Sequence, residues 1–350
     1  MGQELRTPLC REFGIEYPVF NAGIGMAAGP ELAAAVSNAG GFGVVGASAY
    51  LPEQIPGLVA RTRKLTDRPF GLNIIIAEDN APSATDDDRT LLHQQISAAI
   101  DVEVAALVLF WGDPGPYVKA AHDKGVKLLI QVGSVEEARA AATTGVDAVI
   151  AQGVEAGGHV RGMTSIWTLI PAVVEAIKPM PVLASGGIGD GAGLARALQL
   201  GAQGVSLGTR FIASNEANVH PAYQQRILKA TAADTVHNYV YDIGWPDAPS
   251  RTIRNKTISE WEAAGRPPSG QRPGEGTSIG KRRNAQGAVM EWPRYAIGVA
   301  TPDFDGDIEY APLWAGESCS VINDVKPAAE IVADLVRDAQ AALLPATPRG

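Results

Sequence analysis

Short apolar runs recur between residues 17 and 212, and each is followed by a glycine-rich turn and an alanine-rich amphipathic stretch. We count eight such runs, at 17–20, 42–45, 70–74, 105–110, 126–132, 147–151, 181–184 and 204–207. Several are nearly continuous aliphatic or β-branched residues, a pattern typical of parallel strands covered on both faces. The stretches between them predict helices at 30–38, 52–65, 87–100, 114–123, 135–144, 163–177 and 191–200.

Eight strand–helix units predict an α/β fold, a (β/α)8 TIM barrel, for which about 250 residues suffice. An open doubly wound sheet is the alternative, but it usually carries its glycine fingerprint after the first strand and needs fewer units. We expect the barrel to comprise residues 1–244 and 319–350, with a terminal helix over 326–343.

The segment 245–318 differs from the rest of the chain. It is rich in Pro, Gly, Arg and Trp and has only weak periodicity. It is too long for a plain loop and too irregular for an independent core. We therefore expect an irregular insertion, a small helical or lid subdomain packed over one face of the barrel.

Composition narrows the function classes. Apolar residues make up 46% of the 350, which is ample for a sizeable core. The formal net charge of −9 argues against nucleic acid as a partner, because an acidic surface repels phosphate backbones. An anionic cofactor remains compatible, since backbone N–H groups can hold a phosphate without net positive charge.

Cellular context is inferred from signals that the sequence lacks. No stretch approaches the roughly 18 apolar residues of a membrane span, and the N-terminus has no apolar segment of signal-peptide length. Cys10 and Cys319 lie far apart and outside any metal-ligand spacing, so no metal site is expected. We expect a reduced, cytoplasmic protein without a membrane partner, and a homodimer stays open.

Two glycine-rich turns follow the seventh and eighth apolar runs. One is ASGGIGDGAGLARAL at 184–198, where N–H groups of the turn and of the helix start near Gly191 can face an anion. The other is GVSLGTRF at 204–211. Barrels commonly bind phosphate between the loops after strands seven and eight, so the pair favours a phosphate site. The alternative is two merely tight strand–helix turns.

A candidate catalytic segment, QGVEAGGHVRG at 152–162, follows the sixth run. Loops at the C-terminal ends of barrel strands carry catalysis. His159 can act as a general base near neutral pH, and the adjacent glycines leave room for a ring beside it. The alternative is that His159 is an ordinary surface-loop residue.

For two further segments, a role in the packing of the fold is an alternative to a role in binding a cofactor. The glycines of NAGIGMAAGPELAAAVSNAGGFGVVG, at 21–46, flank an alanine-rich stretch, and close packing of helix on strand explains much of it. Asn73 is an amide within the apolar run FGLNIII. A buried amide needs a partner, which could be backbone or a cofactor at the strand end.

Together these segments resemble the nitronate monooxygenase family, formerly called 2-nitropropane dioxygenases. The resemblance spans about 8–245, with weaker similarity in RTIRN and AGESCSVINDVKPAAEIV, and its most specific pieces are LAAAVSNAGGFG, EAGGH and ASGGI with LGTRF. It implies a barrel enzyme with FMN as cofactor. Such enzymes oxidise alkyl nitronates and nitroalkanes with O₂ to carbonyl compounds and nitrite, without NAD(P)H.

The resemblance also implies roles for individual residues. It makes His159 the catalytic histidine, Asn73 a flavin contact, and Gln152 and Gly157 parts of the wall around the flavin ring. The phosphate would be held by Gly186, Gly187, Ser206, Leu207, Gly208 and Thr209. Where the family's first strand often ends in an Ala-Pro-Met-Gly type segment, this chain has Ala22, Gly23, Ile24 and Gly25. Ala22 and Gly23 would bring backbone to the flavin, with altered side-chain packing and substrate choice.

Two other functions stay open at this point. One is an NAD(P)H-dependent flavin reductase of the same superfamily, acting on enoyl thioesters or quinones; the sequence shows no separate G-x-G-x-x-G after a strand for a second dinucleotide. The other is a phosphate-ligand binder or a phosphosugar isomerase barrel, which leaves EAGGH unexplained. The basic triplet at 281–283 is most simply a solvated turn.

Overall fold

The computed structural model describes residues 5–77 and 84–344. In chain order, the strands of these residues are β1 (Val19–Asn21), β2 (Gly43–Gly46), β3 (Phe70–Ile75), β4 (Ala106–Phe110), β5 (Lys127–Val132), β6 (Ala148–Gln152), β7 (Gly158–His159), β8 (Val182–Ser185), β9 (Gly204–Leu207), β10 (Thr235–Asn238), β11 (Ser250–Ile253), β12 (Ser278–Arg283), β13 (Val289–Pro293) and β14 (Asp305–Gly306).

The α-helices are α1 (Pro8–Phe13), α2 (Pro30–Asn38), α3 (Ile55–Arg63), α4 (Asp86–Asp101), α5 (Gly115–Asp123), α6 (Val135–Thr144), α7 (Ile166–Ile177), α8 (Gly191–Gln199), α9 (Thr209–Ile212), α10 (Pro221–Lys229), α11 (Lys256–Ala263) and α12 (Ala328–Leu343). Short 3₁₀ segments lie at Gly25–Ala27, Pro52–Gln54, Ala232–Asp234, Ile308–Tyr310 and Glu317–Val321. In the described part of the chain, no helix is both long and apolar enough to cross a membrane.

Eight parallel strands form one sheet in the order β1-β9-β8-β6-β5-β4-β3-β2. The two end strands meet at a parallel bridge between Phe20 and Phe42. The Asn21 side chain completes this seam, because its Nδ2 donates to the Val44 carbonyl at 2.7 Å and its Oδ1 accepts from the Val44 N–H at 2.9 Å. The sheet is therefore a nearly closed barrel, and the predicted TIM-barrel fold is confirmed.

Each of the eight apolar runs forms one strand of this barrel. The helices expected at 30–38 and 135–144 have those bounds in the structure, as α2 and α6. The stretch 52–65 is instead a 3₁₀ turn followed by α3, whose first turn accommodates Pro56 because the N–H that proline lacks has no helical acceptor there. Local periodicity thus located the repeating units to within a few residues.

Helix α1, which the periodicity did not predict, lies at the N-terminal end of the barrel. Its Phe13 ring packs edge-on against Phe20 and Phe42, at centroid distances of 5.7 and 5.4 Å. Leu9 and Cys10 join the same buried cluster as Leu129 and other barrel residues. Apolar side chains therefore fill this end, and any open space inside the barrel lies towards the C-terminal ends of the strands.

The motif LAAAVSNAGGFG packs α2 against β2. A Cβ on Gly43 would lie 1.9 Å from the carbonyl oxygen of Ala33, closer than any side chain permits. The Ser37 hydroxyl accepts from the Gly43 N–H at 3.0 Å and donates to the Pro69 carbonyl at 2.8 Å. The packing interpretation of this segment is therefore confirmed at Gly43.

Two small antiparallel sheets lie beyond the barrel. One has the order β10-β11-β7 and the other β13-β12-β14. Their apolar cores are separate clusters, one around Trp292 and Phe304 and one around Tyr241, Tyr295 and Trp314. Within 245–318 the only α-helix is α11, so most of this segment is strand and loop rather than helix. The division into a barrel and a lid subdomain stays a prediction.

Candidate active site

A cavity of about 730 Å³ lies at the C-terminal ends of the barrel strands and is bordered by the small sheets. All of the site residues predicted from the sequence line it. They are Ala22, Gly23, Asn73, Gln152, Gly157, His159, Gly186, Gly187, Ser206, Leu207, Gly208 and Thr209. The structure thus brings together residues from five of the barrel strands or the turns after them, and their individual roles stay proposals.

The turn after β8 exposes free backbone N–H groups. Gly186 and Gly187 have φ of +98° and +70°, a conformation that favours glycine. A Cβ on Gly186 would also lie 2.8 Å from the Ala156 side chain. Neither glycine N–H donates a hydrogen bond to any described residue. Successive N–H groups in such a turn form a concavity suited to an anion.

The start of α8 does not contribute to this anion-binding turn, contrary to the sequence expectation. The Asp190 carboxylate caps the helix and accepts from the Gly193 N–H at 2.8 Å. Gly191 packs against α12, where an added Cβ would lie 2.5 Å from the Asp338 side chain. An acidic cap and a covering helix therefore close the end at which a phosphate was expected.

The turn after β9 forms the neighbouring part of the cavity wall. The Gly208 N–H donates to no described residue, as at Gly186. The Thr209 hydroxyl oxygen accepts from the Gly316 N–H at 3.0 Å, so its own proton is available to a ligand. Gly208 and Thr209 thus add two potential donors beside those of the β8 turn.

Asn73 and Gly23 meet on the wall below these turns. The Asn73 Nδ2 donates to the Val108 carbonyl at 2.8 Å, which satisfies the backbone-bonding alternative. A Cβ on Gly23 would lie 2.3 Å from the Asn73 Oδ1. Residue 23 must therefore be glycine for the chain to pass over this amide, and both residues border the cavity.

His159 lies in β7, where it is paired with Ser250 of β11 rather than placed in an irregular loop. Gln152, at the end of β6, fixes the position of this strand. Its Nε2 donates to the His159 carbonyl at 2.9 Å and its Oε1 accepts from the Arg161 N–H at 3.4 Å. The Gln152 side chain therefore holds the backbone of the candidate catalytic residue.

Three indoles surround the His159 imidazole. Its centroid lies 4.1 Å from that of Trp245, 5.4 Å from Trp314 and 6.4 Å from Trp111. The residue keeps some exposed surface, but Nε2 is buried and has no hydrogen-bond partner among the described residues. Burial lowers the pKa of His159 to about 4, so the imidazole is neutral at pH 7.

The segment between β6 and β7 is fixed by contacts from distant parts of the chain. Arg251 donates from Nη2 to the Val154 carbonyl at 2.9 Å. The Glu155 carboxylate accepts from the Ile166 N–H at 2.9 Å. A Cβ on Gly157 would lie 2.4 Å from the backbone of Ala315, so this glycine serves the packing of the AGESCS segment as well as lining the cavity.

Sequence reasoning missed the aromatic part of the site. Trp245 and Trp314 lie at the two ends of the segment that lacks periodicity, and nothing local indicated that they meet at His159. The richness of the segment 245–318 in tryptophan was the one signal that the sequence offered. Among the residues that the structure describes, no group of three or more histidine, cysteine or acidic side chains is placed to hold a metal ion.

The cavity fits a flavin mononucleotide in its chemistry. Free N–H groups at two adjacent turns can hold a phosphate without a cation. Apolar walls suit a planar ring system. The neutral imidazole of His159 borders the same space and can accept a proton from a bound molecule.

Known proteins share both the sequence pattern and the fold. A curated relative from Mycobacterium tuberculosis, named (3aS,4S,5R,7aS)-5-hydroxy-7a-methyl-1-oxo-octahydro-1H-indene-4-carboxyl-CoA dehydrogenase, is 30% identical over 96% of each chain. A probable nitronate monooxygenase from Staphylococcus saprophyticus is 33% identical over 73% of this chain and 80% of its own length.

Solved structures agree with these relatives. FabK from Thermotoga maritima superposes with a TM-score of 0.75 at 29% identity, covering 97% of both chains. Nitroalkane oxidase from Streptomyces ansochromogenes superposes with a TM-score of 0.75 at 25% identity, over 95% of this chain and 98% of that one. The family model described as nitronate monooxygenase matches residues 6–338. The chain therefore belongs to the nitronate monooxygenase family of oxidoreductases, whose members use a flavin.

Proposed function

We propose that this oxidoreductase is an FMN-dependent nitronate monooxygenase. It oxidises alkyl nitronates and nitroalkanes with O₂ to carbonyl compounds and nitrite. The observation that carries the proposal is the neutral, unpaired imidazole of His159 in a cavity that also has free anion-binding N–H groups. Family membership supports the flavin, and the free N–H groups support its mononucleotide form.

The phosphate of FMN is assigned to the turns after β8 and β9. There the N–H groups of Gly186, Gly187 and Gly208 and the Thr209 hydroxyl would donate hydrogen bonds to it, with Ser206 and Leu207 of β9 supporting the second turn. When bound, FMN supplies the redox chemistry between substrate and O₂. The residues assigned to the wall around its ring are Ala22, Gly23, Asn73, Gln152 and Gly157.

His159 is assigned the role of proton acceptor. Because its pKa lies well below 7, the imidazole is unprotonated at neutral pH and can take the α-proton of a neutral nitroalkane. An imidazolium that steadies a nitronate from the outset is disfavoured in this environment. The nitronate formed by this transfer carries a negative charge that raises the pKa of His159, and this stabilises the imidazolium formed with it.

The His159→Asn variant tests this assignment. A positioned base contributes roughly 10²- to 10⁴-fold, so we expect turnover of a neutral nitroalkane to fall by that factor. Turnover of the preformed nitronate, which needs no proton removed, should fall by less than about tenfold if loss of the base is the only effect. The two rates are measured by oxygen uptake at equal flavin content, read from the visible absorbance. Unchanged turnover of the neutral nitroalkane would remove His159 from the mechanism.

A second candidate is a flavin-dependent dehydrogenase or reductase that acts on a thioester or a quinone. It is favoured by the relative named as a carboxyl-CoA dehydrogenase, which this chain matches over 96% of both lengths. The probable nitronate monooxygenases match over 73% of this chain. The two candidates differ in whether oxygen alone accepts the electrons, and a measurement of oxygen uptake separates them.

A further inference from the structure

Only two formally charged side chains line the described part of the cavity, Asp88 and Arg282. The Asp88 carboxylate accepts from the Thr85 N–H at 2.8 Å and from the Thr85 hydroxyl at 2.7 Å. It is therefore occupied in capping α4. Arg282, on β12, is the remaining charged side chain of the cavity wall.

Arg282 differs from every other arginine of 245–318. Each of the others donates to a carboxylate or carbonyl of a described residue; these are Arg251, Arg254, Arg266, Arg272, Arg283 and Arg294. Among the described residues, the Arg282 side chain has no hydrogen-bond or ion-pair partner, and its Nε is buried. Asp303 acts on it only through its charge, since that carboxylate accepts from the Arg283 N–H at 2.7 Å.

The guanidinium of Arg282 is nevertheless held in one place. Its Cζ lies 4.3 Å from the centroid of the buried Trp292 ring. It also lies against Gly298, where an added Cβ would be 2.4 Å from the Arg282 Nη1 and 2.9 Å from the Trp292 ring. Only Nε of the guanidinium is buried, and Nη1 and Nη2 have no partner among the described residues, so the stacked group presents its Nη end to a planar anion.

Gly298 also connects Arg282 to the candidate catalytic residue. Its carbonyl accepts from the Trp314 Nε1 at 2.6 Å, and Trp314 packs on His159. Arg282 and His159 therefore lie along the same wall, separated by one segment of backbone and one indole. Desolvation lowers the pKa of Arg282, so an incoming anion would relieve part of that penalty.

We propose that Arg282 binds an anionic oxygen group of the substrate, a carboxylate or phosphate carried at a distance from the reacting carbon. The planar guanidinium pairs with either group through two parallel N–H···O bonds. Arg282 is thus a specificity-determining residue, and the reaction to which it applies rests on the proposed function. A neutral substrate of the same length lacks this contact.

The first test compares 4-nitrobutanoate with its methyl ester as substrates of the FMN-loaded protein. We expect Arg282→Met to lower kcat/KM for the carboxylate by about 10- to 100-fold, mainly through KM, as for loss of a charged hydrogen-bonded pair. The ester should change by less than about threefold, because its neutral end makes no such pair. Methionine keeps the apolar stem on Trp292. Arg283→Met, on the opposite face of the same strand, is the matched control and should leave both substrates unchanged.

The second test measures binding without turnover. Butanoate, propyl phosphate and butanamide are titrated into the FMN-loaded protein by calorimetry, with and without Arg282→Met. Weakening of butanoate alone identifies a carboxylate, weakening of propyl phosphate alone identifies a phosphate, and butanamide should not respond. Equal binding of all three ligands by wild type and variant would overturn the proposal.

Two outcomes separate this proposal from the proposed function. If neither nitro compound turns over but anion binding still depends on Arg282, the anion site stands and the reaction is wrong. If both turn over without preference for the carboxylate, and Arg282→Met changes neither substrate, the reaction stands and the anion site is wrong. Loss of FMN from Arg282→Met at retained far-UV circular dichroism would assign the guanidinium to the cofactor phosphate and also overturn the proposal.

Discussion

His159 shows how its surroundings set the chemistry of a single residue. A histidine near its ordinary pKa would be partly charged at neutral pH, but three indoles and an unpaired buried Nε2 favour the neutral ring. The Gln152 side chain holds the backbone carbonyl of His159 and leaves the imidazole free of a competing bond. The neutral ring is therefore available as a proton acceptor, and its protonation state is coupled to folding.

The stability of the flavin-free protein should report this coupling. The folded-state pKa of about 4 lies below the ordinary value of 6.5, so the unfolded chain binds more protons between these values. The contribution of His159 is fully present above pH 6.5 and is lost as the pH falls towards 4. It amounts to at most about 3 kcal/mol, because the residue keeps some exposed surface.

Urea unfolding at pH 7 and pH 5 measures this effect. Compared with His159→Asn, the wild type should lose more of its free energy of unfolding between the two pH values. The comparison of the two proteins removes the contributions of other groups, including His237, whose pKa is also lowered by burial. The same loss in both proteins would mean that the imidazole titrates normally.

At the scale of elements, the turns after β8 and β9 are not equivalent as targets for mutation. Gly186 has a positive φ and lies against Ala156, so any side chain there disturbs the fold. Gly208 has φ of −94°, and an added Cβ would meet only the Ala22 Cβ at 3.9 Å. A side chain at position 208 therefore enters the cavity without backbone strain.

Gly208→Asp should weaken FMN binding because it places a negative charge beside the phosphate. Gly208→Asn has nearly the same size and no charge, so it is the matched control. We expect the FMN dissociation constant to rise at least about tenfold more in the aspartate than in the asparagine variant, a difference of about 1.4 kcal/mol. The measurement is fluorescence titration of the flavin-free proteins with FMN. Stoichiometric FMN in purified Gly208→Asp would mean that the phosphate lies elsewhere.

The elements of the barrel could be predicted because their signals are local. Nearly continuous apolar runs and proline or glycine at helix ends identify each unit from its own residues, as α2 and α6 show. The role of α8 could not be predicted in this way. Whether a helix start is open depends on its cap, Asp190, and on the covering α12, which lies about 140 residues further along the chain.

At the scale of the molecule, the site combines two unlike parts of the chain. The barrel supplies the glycine turns and Asn73; the turns were predicted because they follow predicted strands, and Asn73 because it is an amide within one. The segment 245–318 supplies Trp245 and Trp314, which lie outside the strands of the small sheets, and Arg282, which lies in β12. They reach the cavity through antiparallel pairing such as β7 with β11, which joins residues about 90 positions apart. No local periodicity encodes such pairing, so these residues could not be placed from the sequence.

The net charge of the whole chain differs in sign from the one unpaired charge in the described cavity wall. The chain carries a formal net charge of −9, yet Arg282 is the one charged lining residue of the described cavity without a partner. Under the proposed function, an anionic cofactor would be bound by backbone N–H groups rather than by the overall field. Within the same cavity, an anionic group of the substrate should bind only at the Arg282 guanidinium.

Oxygen consumption by the FMN-loaded protein, with an alkyl nitronate and no NAD(P)H, tests the proposed function most directly. We expect rapid uptake accompanied by nitrite, and its loss in a flavin-free preparation of the same protein. No uptake from protein that demonstrably carries FMN would contradict the monooxygenase assignment. The barrel and its cavity would then belong to a flavin-dependent dehydrogenase or reductase.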